Sequence, residues 1–279
     1  MSLEVGIVGL PNSGKSTLFN ALLKRQQALV GNYPFTTIEP NVGIVEVPDD
    51  DLIALVDLIN PEKVVPATVK FIDIAGLVKD AHQGEGLGNK FLAKIREVDA
   101  IVHIIRGFGA SDVPHFYGNI DPKRDKEIVD LELELAGIKK PTLYVLNVAE
   151  VSTYVHPGGV NIDLVVNAKT GEGVDRLIKA AYDLLGLITF YTIKGGKEVT
   201  AWPLKSGSTA LEAAAKVHTD MAKGFIKAEV IGVKELLKIG LPAGRQGGWT
   251  KAKALGKIAL VGKDYIIKDK EVVEFKFNL

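Results

Sequence analysis

The chain has no cysteine among its 279 residues. Disulfides, thiolate metal ligands and cysteine nucleophiles are excluded at the outset. It also lacks any apolar run near the roughly 20 residues that span a bilayer, so no membrane partner is expected. The opening MSLEVGIVGL meets a glycine-rich turn too early for a signal peptide's apolar stretch and cleavage site. Internal repeats and low-complexity tracts are missing. Net charge is missing too, with 34 basic residues balancing 34 acidic ones. What is present is ordinary for a cytoplasmic globular protein: 47% hydrophobic and 24% charged residues, in a length that suits one large or two ordinary domains.

The zero net charge hides an asymmetry. Residues 1–186 hold 18 Lys/Arg against 25 Asp/Glu, a net of −7, whereas 187–279 hold 16 against 9, a net of +7. A basic C-terminal part could meet an anionic partner such as RNA, or could simply attract the acidic part. Charge alone does not separate the two.

The pattern of apolar runs places the boundary near Leu185–Leu187. Before it, buried strands are expected at Leu3–Val8, Val69–Ile74, Ala100–Ile105, Thr142–Leu146 and Leu164–Val166. They alternate with helices at Ser16–Lys24, Asp51–Ile59, Gly88–Val98 and Val174–Leu185. Alternating strands and helices predict an α/β domain over 1–186 with a mostly parallel sheet. The polar stretch Val30–Val42 reads as a loop. Beyond the boundary, a hairpin over Ile188–Ile193 and Glu198–Trp202 leads to an Ala-rich helix from Thr209 to about Ala222. Strands at Phe225–Ile231, Ile258–Leu260, Tyr265–Ile267 and Val272–Phe277, with a short helix at Val233–Ile239, complete a small α+β module over 187–279. The segment Gly240–Gly248 reads as a mobile loop.

One motif decides the chemistry. Gly9-Leu-Pro-Asn-Ser-Gly14-Lys15-Ser16 fits the phosphate-binding pattern G-x-x-x-x-G-K-[ST], between an expected strand and an expected helix, which is the context it requires. The residues Asn12, Ser13, Gly14, Lys15, Ser16 and Thr17 are therefore assigned to a nucleoside triphosphate. Backbone amides and the helix N-terminus cradle the phosphates, Lys15 brings a mobile cation to the β- and γ-phosphates, and the Ser16 hydroxyl suits Mg²⁺. Asp73, at the end of its strand, is placed to hold that Mg²⁺ through water, and the Gly76 amide to sense the γ-phosphate. In the polar loop between these motifs, Thr37 is chosen over Thr36 to complete the metal shell.

Asn147-Val148-Ala149-Glu150 ends a strand where a GTPase shows N-K-x-D. Neither the Lys nor the Asp is present, and the longer Glu150 would intrude where the guanine edge sits. Asn167-Ala168-Lys169 follows the next strand and resembles the S-A-K loop that closes over the base. Asn147, Val148, Glu150, Ala168 and Lys169 thus form the expected base site, and guanine specificity is not expected of it.

With these motifs in view, the chain resembles the YchF/Obg-like ATPase family, a branch of the Obg-type P-loop proteins. The likeness runs from GLPNSGKSTLFNAL through Asn32–Asn41, Asp73–Lys79 and Gly84–Leu92 to Ala201-Trp202, Lys223–Glu229, Gly262–Tyr265 and Glu274–Asn278. It implies a P-loop G domain followed by a β-grasp module of the TGS type. It implies an ATPase that associates with ribosomes, with adenine contacted through the backbone at Val148. Because Asn12 matches an asparagine that helps hold a monovalent cation in related proteins, it also admits K⁺ beside Mg²⁺. Family members carry a long antiparallel helical arm between the strands at 100–105 and 142–146. Here a single short helix at most, within 125–141, fills that place, so the arm is expected to be missing or vestigial.

Hydrolysis needs an oriented water. Ras-like proteins place a Gln after the switch glycine, but this chain has Leu77. His115 matches a loop histidine for which that role has been proposed, and a neutral imidazole accepts from water. His115 and Lys15 are accordingly the expected catalytic residues. The leading expectation is a slow ATP-hydrolysing switch on or near the ribosome, with no DNA partner. A GTPase of the wider Obg type and a nucleotide-gated RNA- or ribosome-binding module with incidental hydrolysis are the alternatives.

Overall fold

The computed structural model describes residues 3–29, 41–74, 87–151, 160–240 and 247–278. In chain order it runs β1 (Glu4–Val8), α1 (Lys15–Leu29), β2 (Val42–Glu46), α2 (Asp50–Ile59), β3 (Lys63–Val65) and β4 (Thr68–Asp73). There follow α3 (Leu87–Glu97), β5 (Ala100–Arg106), α4 (Pro122–Leu135), β6 (Thr142–Asn147), β7 (Leu164–Val166) and α5 (Val174–Leu184). The remainder is β8 (Leu187–Lys194), β9 (Glu198–Lys205), α6 (Ala210–Val217), α7 (Thr219–Lys223) and β10 (Phe225–Gly232). It closes with α8 (Val233–Ile239), α9 (Gly247–Ala254), β11 (Ala259–Val261) and β12 (Glu271–Phe277).

Two compact units result: residues 1–47 with 69–185, and residues 48–68 with 186–279. The first is built on a six-stranded sheet in the order β2-β4-β1-β5-β6-β7. Its β1–β4, β1–β5, β5–β6 and β6–β7 pairs are all parallel. Every residue of β5 is buried, as a strand covered on both faces must be. From α3 come Phe91, Leu92 and Ile95, and from α4 come Val129 and Leu133, all packed into one cluster with Val8 and Ile101. The phosphate-binding turn, Asp73 and Asn147 all lie at the C-terminal ends of parallel strands, where open α/β sheets place their ligands.

The second unit is also six-stranded, in the order β11-β10-β12-β8-β9-β3. β8 and β9 form an antiparallel hairpin, and β12 runs parallel to β8 at the centre. Helix α6 buries Ala210, Ala213 and Ala214 against Phe190, Val230, Val273 and Phe275. A first hairpin, a helix laid across it and a last strand returning parallel to the first make a β-grasp. The capping box opens α6 as its spacing predicts: the Thr209 hydroxyl accepts from the Glu212 amide, and Glu212 accepts from the Thr209 amide at 2.7 Å.

Several expectations are corrected. The domains are not contiguous in sequence, because residues 48–68 leave the first unit for the second. β3 pairs in parallel with β9, and the amides of Glu62 and Lys63 donate to the Lys197 carbonyl at 2.7 and 3.0 Å. Asp49 caps α2 and accepts the Tyr191 hydroxyl at 2.8 and 3.0 Å, while Lys270 pairs with Asp51 at 2.5 Å. This transfer also removes most of the charge asymmetry. Residues 48–68 carry five acids and one lysine, so the second unit holds 17 Lys/Arg against 14 Asp/Glu, a net of +3 rather than +7.

β2 and β3 were not foreseen. The Ala-rich helix breaks at His218, whose extended backbone ends α6 and whose Nδ1 accepts the Asp220 amide to start α7. Tyr265–Ile267 is not a strand; it makes only an isolated bridge between Thr209 and Ile266. Part of the expected loop at 240–248 is the start of α9, and 241–246 lie outside the described residues. α4 is a core crossover helix of the first sheet, starting at a capping Asp121 with Pro122 behind it. Among the described residues, no helix is long and apolar enough to cross a membrane.

Candidate nucleotide-binding site

The turn from β1 to α1 curls because its backbone visits conformations open mainly to Gly and Asn. Gly9, Asn12 and Gly14 have φ of 156°, 63° and 99°. Lys15 folds back over the turn, its Nζ donating to the carbonyls of Leu10 at 2.8 Å and Gly9 at 3.2 Å. Burial pushes its pKa down to about 8, against a partial upward pull from Asp73. An ammonium held this way is poised for a triphosphate, whose charge restores the stabilisation that burial removes.

The Ser16 hydroxyl donates to Asp73 Oδ2 at 2.9 Å. The second oxygen, Asp73 Oδ1, is buried and has no hydrogen-bond partner among the described residues. Two hard oxygen donors meeting beside an orphaned carboxylate oxygen suit Mg²⁺, which binds proteins through one or two carboxylates and keeps several waters. Thr37 and Gly76, assigned to the metal shell and the γ-phosphate, lie outside the described residues.

Asn147 joins the phosphate end to the base end. Its Nδ2 donates to the Ser13 carbonyl at 3.1 Å, and its Oδ1 accepts the Ala168 amide at 3.0 Å. A side chain on Gly14 would land against that same Asn147 amide, which is why the turn requires glycine there. The 168–170 loop is shaped by Asn167, whose Oδ1 accepts the amides of Lys169 and Thr170 at 2.9 and 3.0 Å. The Val148 amide is already committed to the Val166 carbonyl at 2.9 Å. A backbone contact to adenine at this residue therefore falls to its carbonyl, which can accept from an amino group but not donate to a ring nitrogen. Ala149 and Glu150 are exposed at the strand end. Asn12, Gly14, Lys15, Ser16 and Thr17 share one cleft of 760 Å³ with Asn147, Val148, Ala168 and Lys169.

Sequence reasoning overlooked the third wall of that cleft, Phe108–Ala110 with Asp112 and Val113. It also overlooked Arg106, which fixes this wall. The buried guanidinium donates to the carbonyls of Phe108 (3.1 Å), Asn12 (3.3 Å), Val113 (2.6 Å) and Pro114 (3.3 Å). It lies 4.5 Å from the centre of the Phe108 ring. The available signal was an arginine closing the otherwise apolar run Ala-Ile-Val-His-Ile-Ile. Asn12 donates its own Nδ2 to Pro114 O at 3.1 Å, which leaves Oδ1 as the side-chain atom suited to a monovalent cation.

His115 departs from its expected role. Its Nε2 lies 2.6 Å from Asp125 Oδ2, and its Nδ1 accepts the Tyr117 amide at 3.1 Å. The ring is buried with only 4% of the side chain exposed. With both nitrogens engaged it cannot accept from a water in this arrangement. His103 is fully buried, and its Nδ1 stands 3.6 Å from Asp130 Oδ1 and makes no hydrogen bond among the described residues. Burial lowers its pKa and keeps the ring neutral.

Two family models match the chain. One, described as a 50S ribosome-binding GTPase, covers residues 4–148. The other, for the C-terminal domain of YchF GTPases and described as a protein of unknown function, covers 187–278. The Ribosome-binding ATPase YchF of Bacillus subtilis is 38% identical over 375 aligned positions, with both chains covered in full. That of Haemophilus influenzae is 37% identical over 372, again with full coverage. Among solved structures, the YchF GTPase of Schizosaccharomyces pombe superposes with a TM-score of 0.81 at 25% identity, covering 99% of this chain and 98% of that one.

Proposed function

The chain belongs to the YchF family, and on that premise we propose that it is an ATP-hydrolysing switch of the cytoplasm that works in association with the ribosome. The observation that carries this reading is the complete phosphate-binding turn joined through Asn147 to a base loop without guanine-specific residues. Lys15 and the turn's amides neutralise the phosphates. Ser16 and Asp73 would hold Mg²⁺, which when bound offsets charge on the transferred phosphoryl group. Thr37 is proposed to join them and Gly76 to contact the γ-phosphate. Asn12 Oδ1 is the proposed ligand for K⁺.

The base is proposed to be adenine, accepted by the Val148 carbonyl and covered by Ala168 and Lys169. GTP remains the competitor, since bacterial relatives are named ATPases and the fission-yeast relative a GTPase. Equilibrium binding of ATP and GTP, side by side with Mg²⁺ and K⁺ present, tests the choice. Tighter ATP binding is expected; a strong GTP preference would overturn the base-site reading.

The β-grasp unit is proposed to be of the TGS type. The family's helical arm is proposed to be absent: β5 and β6 are joined through one core helix, and 279 residues here align across 375 positions with the Bacillus protein. His115 is proposed to orient the attacking water only after release from Asp125. Its engaged state favours a second reading, a nucleotide-gated ribosome-binding module with incidental hydrolysis. Equal ribosome affinity with ATP and a non-hydrolysable analogue, with negligible turnover, would support that alternative.

A further inference from the structure

A second cleft of 760 Å³ opens between α1 and the turn that leads into α5. It shares Thr17, Ala168, Lys169 and Thr170 with the nucleotide cleft. Thr17 follows the phosphate-binding turn, and 168–170 border the base. In a nucleotide the ribose joins the α-phosphate to the base, so the ribose faces the wall these residues share.

The charge of this annex is one-sided. Lys24, Arg25, Lys169 and Arg176 line it against a single acid, Asp175. Arg25 is ion-paired with Asp175 and also donates to the Glu46 carbonyl, which uses up that acid. Lys24, Lys169 and Arg176 have no ion-pair partner among the described residues. A second feature points the same way. Helix α5 has 11 residues from Val174, its N-cap Gly173 supplies no side-chain cap, the Val174 amide alone turns back to the Gly171 carbonyl at 3.2 Å, and residues 173–176 line the annex. An uncapped helix start presents amides and the positive end of the helix dipole to whatever lies there. Three uncommitted cations and such a helix start surround a space that opens on the ribose.

We propose that the annex receives a phosphate carried on the ribose of the bound nucleotide, so that the site takes ribose-phosphorylated adenine nucleotides in addition to ATP. The inference rests on the reading of the neighbouring cleft as an adenine-nucleotide site. Lys24 and Arg176 reach the extra phosphate from opposite walls, and Lys169 sits between it and the base. An unphosphorylated ribose leaves these cations to solvent and gains nothing from them.

The experiment is displacement of labelled ADP from the full chain, with Mg²⁺ present, by AMP, adenosine 3′,5′-bisphosphate and adenosine 2′,5′-bisphosphate. One of the two bisphosphates is expected to displace at a concentration about tenfold below AMP, as two charge-assisted contacts allow. The 2′ and 3′ arms identify which hydroxyl carries the phosphate. The double variant Lys24→Gln with Arg176→Gln should erase the advantage while binding labelled ADP as tightly as before. Bisphosphates no better than AMP, or an advantage that survives the double variant, would overturn the annex. Failure of the unmodified chain to bind labelled ADP would overturn the nucleotide site together with it.

Discussion

His115 is fastened to Asp125: the ring Nε2 and the carboxylate Oδ2 are 2.6 Å apart, on side chains 4% and 3% exposed. Arg124 holds the other carboxylate oxygen at 2.9 Å. His115→Ala should slow turnover by about 10²-fold, the scale of one general acid–base group, with ATP affinity unchanged. Asp125→Ala should lower the melting temperature, because it breaks a buried ion-paired network. It should not slow turnover, since it frees the ring that the reaction needs. Single-turnover rates alongside thermal melts check both. Unchanged turnover in His115→Ala would place the water-orienting group elsewhere.

Lys15 sets a pH signature. In the nucleotide-free protein its pKa is about 8, and phosphate binding favours the charged form. ATP affinity should be flat below pH 8 and weaken about tenfold per unit above it. The folding linkage has the opposite slope. Between about 8 and the unfolded value of 10.5, the unfolded chain holds a proton that the folded chain lacks. This residue therefore makes the nucleotide-free protein more stable as pH rises through that window. Lys15→Ala should abolish both the pH break and tight triphosphate binding, as titration calorimetry at several pH values will read.

Gly14→Ala places a methyl group against the Asn147 amide at a backbone φ of 99°. Strain of this kind costs about 1–3 kcal/mol, and displacing Asn147 uncouples Ser13 from Ala168. ATP affinity should fall at least tenfold, by about 1.4 kcal/mol or more. Wild-type affinity in this variant would show that the turn and the base loop are not coupled through Asn147.

Glu150→Asp withdraws one methylene from the expected guanine edge and leaves a carboxylate able to accept from guanine. The GTP-to-ATP affinity ratio should rise by about tenfold, the scale of one hydrogen bond from the base to a charged group. A ratio that does not move would show that base choice is made by the Val148 carbonyl alone.

Tyr191→Phe removes the hydroxyl that donates to both oxygens of Asp49. Hydrogen bonds to charged groups contribute about 1.5–3 kcal/mol, so denaturant midpoints should fall accordingly. Hydrogen exchange should show the loss of protection concentrated in 48–68. Uniform loss across the second unit would mean that the segment is held by β3 rather than by its cap.

The phosphate-binding turn was legible because its chemistry is local: spacing, glycine positions and an adjoining strand all fall within one short stretch. Asn147–Glu150 and Asn167–Lys169 were readable from equally local signals, each a short motif that follows an apolar strand. Arg106 was not, because its work is done through carbonyls at 12, 108, 113 and 114, which only the fold assembles. The engagement of His115 by Asp125 escaped notice likewise: a histidine's availability depends on what folds over it. β3 is three residues long and carries no alternation. Its identity comes from the Lys197 carbonyl it meets across more than a hundred residues of chain. Tyr265–Ile267 erred the other way, since an apolar triplet had strand composition but no neighbouring strand to pair with beyond a single bridge.

The pairing of β3 with β9 has a consequence for synthesis. Residues 48–68 leave the ribosome early, but the strands that complete their sheet begin at 187, after all of 69–185 has been made. At about 5–20 residues per second, α2 waits for many seconds with Leu52, Leu55 and Ile59 lacking their final cover. The first sheet meanwhile can assemble around this unfinished insert. The nascent chain thus carries an exposed apolar helix between two of its own finished strands until the strands from 187 onward have been made.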